Sequence, residues 1–159
     1  MSASPEEVAK QFETAKRLVE EVIVKLGLEP AKLRGSDSTS LITWTIQRGS
    51  AAILVSVAKS DRGDEAFLRA ISPIMTLPPE AKVPALFRRL LELNGHGLAN
   101  AAFGIVNDRI VVKSERPTAG LDGAEVEQII MHLSAVADTY DDRLVKEFGG
   151  QRASDVKAT

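Results

Sequence analysis

Apolar and polar side chains alternate from Leu41 to Ala58, which predicts two antiparallel β-strands joined by the two-residue loop Gly49-Ser50. A glycine at the first loop position favours a type II′ turn. Counting outward from the loop puts the large apolar side chains on one face, in the pairs Ile46–Ile53, Trp44–Val55 and Ile42–Val57. The other face is mixed, as in an antiparallel sheet that covers a core on one side. This pattern excludes a parallel nucleotide-binding fold here and places Trp44 in the core.

Three further stretches carry apolar residues at the three- and four-residue spacing of amphipathic helices. The first helix is predicted from Pro5 to Leu26, behind a capping box formed by Ser4 and Glu7. Its apolar stripe lasts about three heptads, which favours a helix packed on a core over a coiled coil. The second helix is predicted from Pro79 to Leu93, and the third from its N-cap Asp122 to Phe148.

The remaining strands follow from local pattern. Glu65 to Ser72 has apolar residues on both faces, which predicts an interior strand covered on both sides. A second hairpin is predicted around Asn107-Asp108, with Ile105 opposite Ile110 and Phe103 opposite Val112. The polar stretch from Glu29 to Ser40 is predicted to be a connection. The order helix, three strands, helix, two strands, helix predicts an α+β fold with an antiparallel five-stranded sheet and three helices.

Chain length predicts a single domain over residues 1–150, because 159 residues suffice for one sizeable core. Residues 151–159 have little apolar content and are predicted to form a flexible tail. The first seven residues lack the basic and apolar regions of a secretory signal, and no apolar run reaches the ~20 residues that a membrane span needs. A cytoplasmic location is therefore expected.

Composition narrows the classes of partner and chemistry. The net charge of −2 argues against a nucleic-acid or anionic-membrane surface, and the sparse aromatic residues argue against a base-stacking platform. Since the chain has no cysteine, it has no disulfide framework, thiolate metal site or cysteine nucleophile. No nucleotide-binding glycine motif or serine-hydrolase elbow occurs.

Two groups of polar residues are candidates for a catalytic or metal-binding site. The histidines His96 and His132 are isolated, which favours ordinary surface roles. Acidic residues of the third helix share one face at helical spacing, where a divalent cation could bind: Asp138, Asp141 and Asp142, with Glu147 one turn further on. A solvated helix face is the favoured interpretation of these acids. The sequence thus predicts no catalytic residue, metal site or cofactor, with a divalent-metal-dependent enzyme or metal-binding domain as the alternative.

Three segments of the chain resemble the YbjN-domain family of bacteria. They are Trp44–Ala51 (WTIQRGSA), Leu90–Asn94 (LLELN) leading to Ala101–Ile105 (AAFGI), and Ala137–Asp141 (ADTYD). The similarity extends over residues 5 to 149 with the same order of elements. The resemblance implies a fold like that of the small chaperones of type III secretion, which are usually homodimers that hold a segment of another protein.

YbjN-like proteins are described as sensory-transduction regulators or chaperone-like proteins without established catalytic residues. The resemblance therefore implies a non-enzymatic chaperone-like or regulatory domain whose partners are a second copy of itself and an unidentified protein or peptide. A general role of this kind is favoured over a dedicated effector chaperone.

The second helix supplies the candidate dimer or partner surface. Three apolar helices are generous for one five-stranded sheet, so part of their apolar surface is predicted to lie between subunits. The residues of this candidate surface are Val83, Leu86, Phe87, Leu90 and Leu91.

Overall fold

The computed structural model describes residues 3–157. Its helices are α1 (Pro5–Lys25), the short α2 (Pro30–Leu33), α3 (Val83–Gly95) and α4 (Gly123–Phe148). Its strands are β1 (Arg34–Asp37), β2 (Leu41–Arg48), β3 (Ala51–Lys59), β4 (Ala66–Thr76), β5 (Ala102–Val106) and β6 (Arg109–Pro117). Single 3₁₀ turns lie at Glu80–Lys82 and Ala153–Asp155.

The strands form one sheet in the order β1-β2-β3-β4-β6-β5. The predicted α+β class with an antiparallel sheet is confirmed, but the predicted count of five strands is wrong, because the sheet has six. The missed strand β1 lies in the stretch predicted to be a polar connection, as does the short helix α2. Its sequence, Arg-Gly-Ser-Asp, has no apolar alternation, so only pairing with β2 reveals it. The Ser36 N–H also donates to Thr43 Oγ1 at 2.8 Å.

The first hairpin has the predicted strands and faces. Gly49 adopts a φ of +57° while Ser50 keeps a negative φ, which agrees with the predicted type II′ turn. The core face of β2 and β3 is buried, and Trp44 is 0% exposed. The indole Nε1 of Trp44 is buried without a hydrogen-bond partner, so packing alone holds the ring. Confirmed core residues of this hairpin are Ile42, Trp44, Ile46, Ile53, Val55 and Val57.

Strand β4 is longer and less covered than predicted. It continues through Pro73 to Thr76, because extended backbone accommodates the φ of proline. Its position between β3 and β6 confirms that it is interior. The prediction that both faces are covered is wrong: one face is buried, whereas on the other Phe67 is half-buried and Arg69 is exposed and paired with Glu115.

The second hairpin confirms the predicted register, with Phe103 opposite Val112 and Ile105 opposite Ile110. Asn107 and Asp108 both have positive φ, at 49° and 58°. Two positive φ values are the requirement of a type I′ turn, in which Asn and Asp are tolerated better than most side chains. Strand β5 forms one end of the sheet.

Both long helices begin at the predicted caps. The Glu7 N–H donates to Ser4 Oγ at 3.3 Å and the Ser4 N–H donates to Glu7 Oε2 at 2.7 Å, completing the capping box of α1. These bonds hold the pKa of Glu7 below its ordinary value. At α4 the Glu125 N–H donates to Asp122 Oδ1 at 2.9 Å, as the N-cap prediction requires.

The structure describes the predicted flexible tail up to residue 157, and residues 158–159 lie outside the described residues. The Thr76 N–H donates to the Gln151 carbonyl at 2.9 Å, and Met75 forms an antiparallel bridge with Arg152. Gly150 lies so close to Thr76 that an added Cβ would stand 2.9 Å from its carbonyl oxygen. These contacts join the start of the segment to β4, and the flexible tail over residues 151–159 stays a prediction.

Internal contacts divide the chain into two compact units. Unit 1 contains residues 3–46, 54–70 and 115–130, and unit 2 contains residues 47–53, 71–114 and 131–157. The buried side chains of unit 1 include Phe12, Val19, Ile23, Trp44, Val57 and Leu68. Those of unit 2 include Ile74, Met75, Leu86, Ile110, Leu133 and Leu144. A single domain over residues 1–150 stays a prediction.

Candidate partner-binding surface

Helix α3 of unit 2 carries the predicted surface and begins later than predicted. Pro79 has extended backbone angles and precedes the 3₁₀ turn Glu80–Lys82, and α3 proper starts at Val83 with Pro84 in its first turn. Proline fits this position because its missing N–H would have no partner inside the helix. The delay does not alter which residues share the apolar stripe.

The structure separates the five candidate surface residues by burial. Leu86 is 0% exposed and Leu90 is 5% exposed, so both belong to the core of unit 2. Their inclusion in an interaction surface is corrected, because the chain itself covers them. Val83 and Phe87 are half-buried, whereas Leu91 is 70% exposed. We call Val83, Phe87 and Leu91 the α3 outer face.

Charged side chains lie close to the α3 outer face. The Arg88 Nε donates to Glu92 Oε1 at 3.0 Å, one helical turn further on, while Arg89 is exposed. Such a pair at i,i+4 stabilises an exposed helix modestly. Leu91 is therefore an exposed leucine next to an ion pair. This mixture of apolar and charged side chains is typical of the rim of an interface and not of a protein core.

The end of α3 is joined to strand β5. The Asn94 Nδ2 donates to the Phe103 carbonyl at 3.2 Å, and the Phe103 N–H donates to Asn94 Oδ1 at 2.8 Å. The Phe103 ring meets the Tyr140 ring edge-on, with centroids 5.4 Å apart. The Asn94 bonds join α3 to β5, and the ring contact joins β5 to α4. The α3 outer face and strand β5 belong to the same unit.

Other exposed apolar side chains were not predicted as surface. In unit 2 they are Ile105 (49% exposed), Val106 (42%) and Met131 (41%). In unit 1 they are Val24 (60%), Leu54 (41%) and Leu41 (37%). The signal for Leu54 was present in the sequence, since the hairpin register places it opposite Thr45 on the face away from the core.

The outer sheet face of unit 1 combines exposed leucines with hydroxyl groups. We define it by Leu41, Thr43, Thr45, Leu54 and Ser56, which alternate with the buried positions of β2 and β3. Such a face offers apolar contact without forming a continuous apolar patch.

The acids of α4 are used within unit 2. The Ser50 hydroxyl lies 3.1 Å from Asp138 Oδ1 and 3.3 Å from Asp141 Oδ2. Asp141 is only 8% exposed, which the solvated-face interpretation did not predict. These carboxylates attach the tip of the first hairpin to α4.

Asp142 faces the C-terminal segment instead. Arg152 Nη1 lies 3.2 Å from Asp142 Oδ1. The same guanidinium donates from Nε to Asp155 Oδ2 at 2.9 Å and from Nη2 to Asp155 Oδ1 at 3.0 Å. The bond from Arg152 lowers the pKa of Asp155, and Asp155 in turn raises the pKa of Arg152. Within residues 3–157 no cluster of three or more His, Asp or Glu side chains has a metal-binding arrangement.

The two histidines lie in different settings. His96 is exposed just after α3, whereas the ring of His132 is hydrogen-bonded through Nε2 to the Leu98 carbonyl. The loop that His132 holds contains Gly97, Ala99 and Asn100, all with positive φ. His132 therefore has a structural contact, and the histidines share no site.

A family model described as "T3SS (YopN, CesT) and YbjN peptide-binding chaperone 1", abbreviated TY-Chap1, matches residues 13–156. Because the match spans most of the chain, this protein belongs to that family. The resemblance to YbjN proteins and to type III secretion chaperones is thereby confirmed, as is a chaperone class that binds peptides.

Solved structures of this fold are similar over most of the chain. The ExsC–ExsE complex matches with a TM-score of 0.59 at 15% identity, covering 83% of this chain and 94% of the matched one. The HopA1–SchA chaperone–effector complex matches with 0.55 at 14%, covering 80% and 93%. The ExoU–SpcU type III secretion complex of Pseudomonas aeruginosa matches with 0.53 at 16%, covering 81% and 96%. At these identities the likeness establishes the fold.

A search of curated proteins gave no match. None of the helices within residues 3–157 combines the length and the apolar character of a membrane span.

Proposed function

We propose that this protein is a homodimeric, non-enzymatic chaperone that holds a segment of a partner protein in the cytoplasm. The observation that carries the proposal is the match to a peptide-binding chaperone family over residues 13–156. The similar solved structures are protein complexes, among them a chaperone–effector complex and a complex of a type III secretion system. A general role in binding peptides, including a regulatory one, fits this chain better than a dedicated secretion role.

The α3 outer face is the proposed dimer contact. Leu91, at 70% exposed, is the most exposed large apolar side chain among the described residues, and Phe87 and Val83 lie one and two turns before it on the same helix. A two-fold contact between two such helices is self-complementary, because each leucine meets the partner's apolar side chains. Burying this face would remove apolar area from water, which is the usual driving force of association.

Sedimentation of Leu91→Asp tests the dimer. The wild type is expected at twice the 17.1 kDa mass of the chain, and the variant at the monomer mass with an unchanged circular dichroism spectrum. Met131→Asp is the matched control, since Met131 is an exposed apolar residue of the same unit outside the α3 outer face. A wild-type monomer at micromolar concentration would refute the dimer. Leu90→Asp is expected to unfold the chain, because Leu90 is buried.

The outer sheet face is the proposed site for the partner segment. Its leucines offer apolar contact, and its hydroxyl groups can bond to the backbone of an extended chain. Leu54→Asp should reduce the amount of partner that copurifies from the native cell, as quantified by mass spectrometry. Val24→Asp, an exposed apolar position on α1 of the same unit, should leave that amount unchanged. Equal loss in both variants would count against this site.

A further inference from the structure

The edge of strand β5 carries an unusual arrangement of hydrogen bonds. β5 is the last strand of the sheet, so one row of its backbone groups has no neighbouring strand. At Phe103 that row is occupied: one side-chain amide, that of Asn94, accepts from the N–H and donates to the carbonyl of the same residue. A primary amide presents a carbonyl acceptor and an N–H donor side by side, as one residue of an antiparallel partner strand does with its own backbone groups. Asn94 thus occupies the place that a partner strand would take.

The alternation of an antiparallel ladder identifies the next open position. In such a ladder the backbone groups of successive residues point alternately to the two sides of the strand. Since the Phe103 groups point to Asn94, those of Ile105, two residues further on, point to the same side. Phe103 is therefore closed, and Ile105 lies beyond the reach of the same amide.

The side chains next to this edge would favour pairing if it were open. Ile105 is 49% exposed and Val106 is 42% exposed, and both are β-branched residues of the kind enriched in strands. An exposed apolar edge strand is a known site of association between sheets. A second copy of β5 is the natural occupant, because two identical edges can pair antiparallel about a two-fold axis.

We propose that Asn94 is an edge-closing residue, whose side-chain amide replaces the backbone groups of a partner-strand residue at Phe103 and prevents β5 of one molecule from pairing with β5 of another. Its action is independent of the α3 outer face and of the outer sheet face. This role does not rest on the proposed chaperone function. It is also separate from the position of Asn94 in the last turn of α3, since ending the helix does not require the two bonds to Phe103.

Replacement of Asn94 by leucine tests this role, because leucine has the same branching of side-chain heavy atoms as asparagine and loses both hydrogen bonds. Asn94→Leu should form species larger than the wild type, with a mass that rises over about a hundredfold range of concentration. In the double variant Asn94→Leu, Ile105→Pro, the size distribution should return to that of the wild type. Proline at 105 removes the outward N–H without breaking the ladder to β6. The dimer variant Leu91→Asp, combined with Asn94→Leu, should still associate, which separates this test from that of the proposed dimer.

Hydrogen exchange on the wild-type protein gives a test that needs no variant. The Phe103 amide should exchange slowly, since Asn94 accepts its proton, and the Ile105 amide should exchange much faster although both lie in the same strand. Equal protection of the two amides would overturn the proposal. So would a folded Asn94→Leu variant whose mass distribution matches the wild type at every concentration. If Asn94→Leu does not fold, Asn94→Ala, which loses the same two hydrogen bonds, replaces it in the concentration series.

Discussion

The two hairpins of this protein have loops of equal length, but their side chains differ in how far they are buried. In the β2–β3 hairpin, alternate side chains such as Trp44 and Ile53 are fully buried, and Ser50 at its tip is tied to Asp138. In the β5–β6 hairpin, β5 ends the sheet, and its Ile105 is 49% exposed. The buried and exposed faces of the first hairpin and the register of the second were predictable from the chain. The difference in exposure arises from each hairpin's position in the sheet, which local pattern does not encode.

The largest test of this contrast is truncation of one apolar side chain in each hairpin. Trp44→Ala should lower the free energy of unfolding by about 3–5 kcal/mol, because it leaves a cavity where a fully buried ring stood. Ile105→Ala should cost about 1 kcal/mol or less, since half of that side chain already contacts water. Urea unfolding monitored by circular dichroism measures both. Similar losses in the two variants would contradict the assignment of β5 as an exposed edge.

The loops should respond to substitution in opposite directions. Gly49→Ala should destabilise the protein by about 1–2 kcal/mol, because Gly49 has a φ of +57° that a Cβ disfavours. Asp108→Gly should stabilise it by roughly 0.5 kcal/mol, because Asp108 already holds a φ of +58° and Asn-Gly is the preferred pair for a type I′ turn.

Thermal unfolding of the wild type and the two loop variants shows whether each substitution lowers or raises the stability of the protein. Space is not the cause at Gly49, since the nearest atom to an added Cβ is Asp138 Oδ2 at an ordinary 3.6 Å. A neutral Gly49→Ala would show that the turn relaxes to another type.

The smallest expected effect concerns β4, which lies between the two hairpins in the sheet and whose end pairs with the C-terminal segment. Arg152 lowers the pKa of Asp155 below its ordinary value of 3.8. A lowered pKa in the folded state means that the stabilisation is fully present above 3.8 and is lost as the pH falls through the lowered value.

Nuclear magnetic resonance titration of the Asp155 carboxyl checks this. Arg152→Gln should return the pKa of Asp155 toward 3.8, whereas Arg143→Gln, at an exposed position of α4, should leave it unchanged. An Asp155 pKa that does not respond to Arg152 would show that the segment 150–155 is not held by this pair.

The candidate surface shows where a one-dimensional pattern stops being informative. Helical spacing groups Val83, Leu86, Phe87, Leu90 and Leu91 into one wide apolar face. A stripe wider than the contact it makes has a buried centre and an exposed margin, and only the packed structure locates the boundary. In α3 the boundary separates Leu90 from its neighbour Leu91, because successive residues of a helix lie about 100° apart around its axis.

Local chemistry by itself determined the helix caps at Ser4 and Asp122, the two hairpin loops and the register of their strands. Each depends on residues close in sequence, whose capping atoms or turn angles act within a few residues. The segments Trp44–Ala51, Leu90–Asn94 and Ala137–Asp141 also carry the resemblance to the family to which the match over residues 13–156 assigns the chain.

Tertiary structure alone decided the features whose partners lie far along the chain. Strand β1 exists because Arg34 and Asp37 pair with β2, although their own residues show no strand pattern. Residues 151–152 are joined to β4 by hydrogen bonds, and the buried Asp141 accepts a hydrogen bond from Ser50 at the hairpin tip. A polar group can be buried or a polar segment ordered wherever a distant partner satisfies its hydrogen bonds, and nothing in its local sequence records that partner.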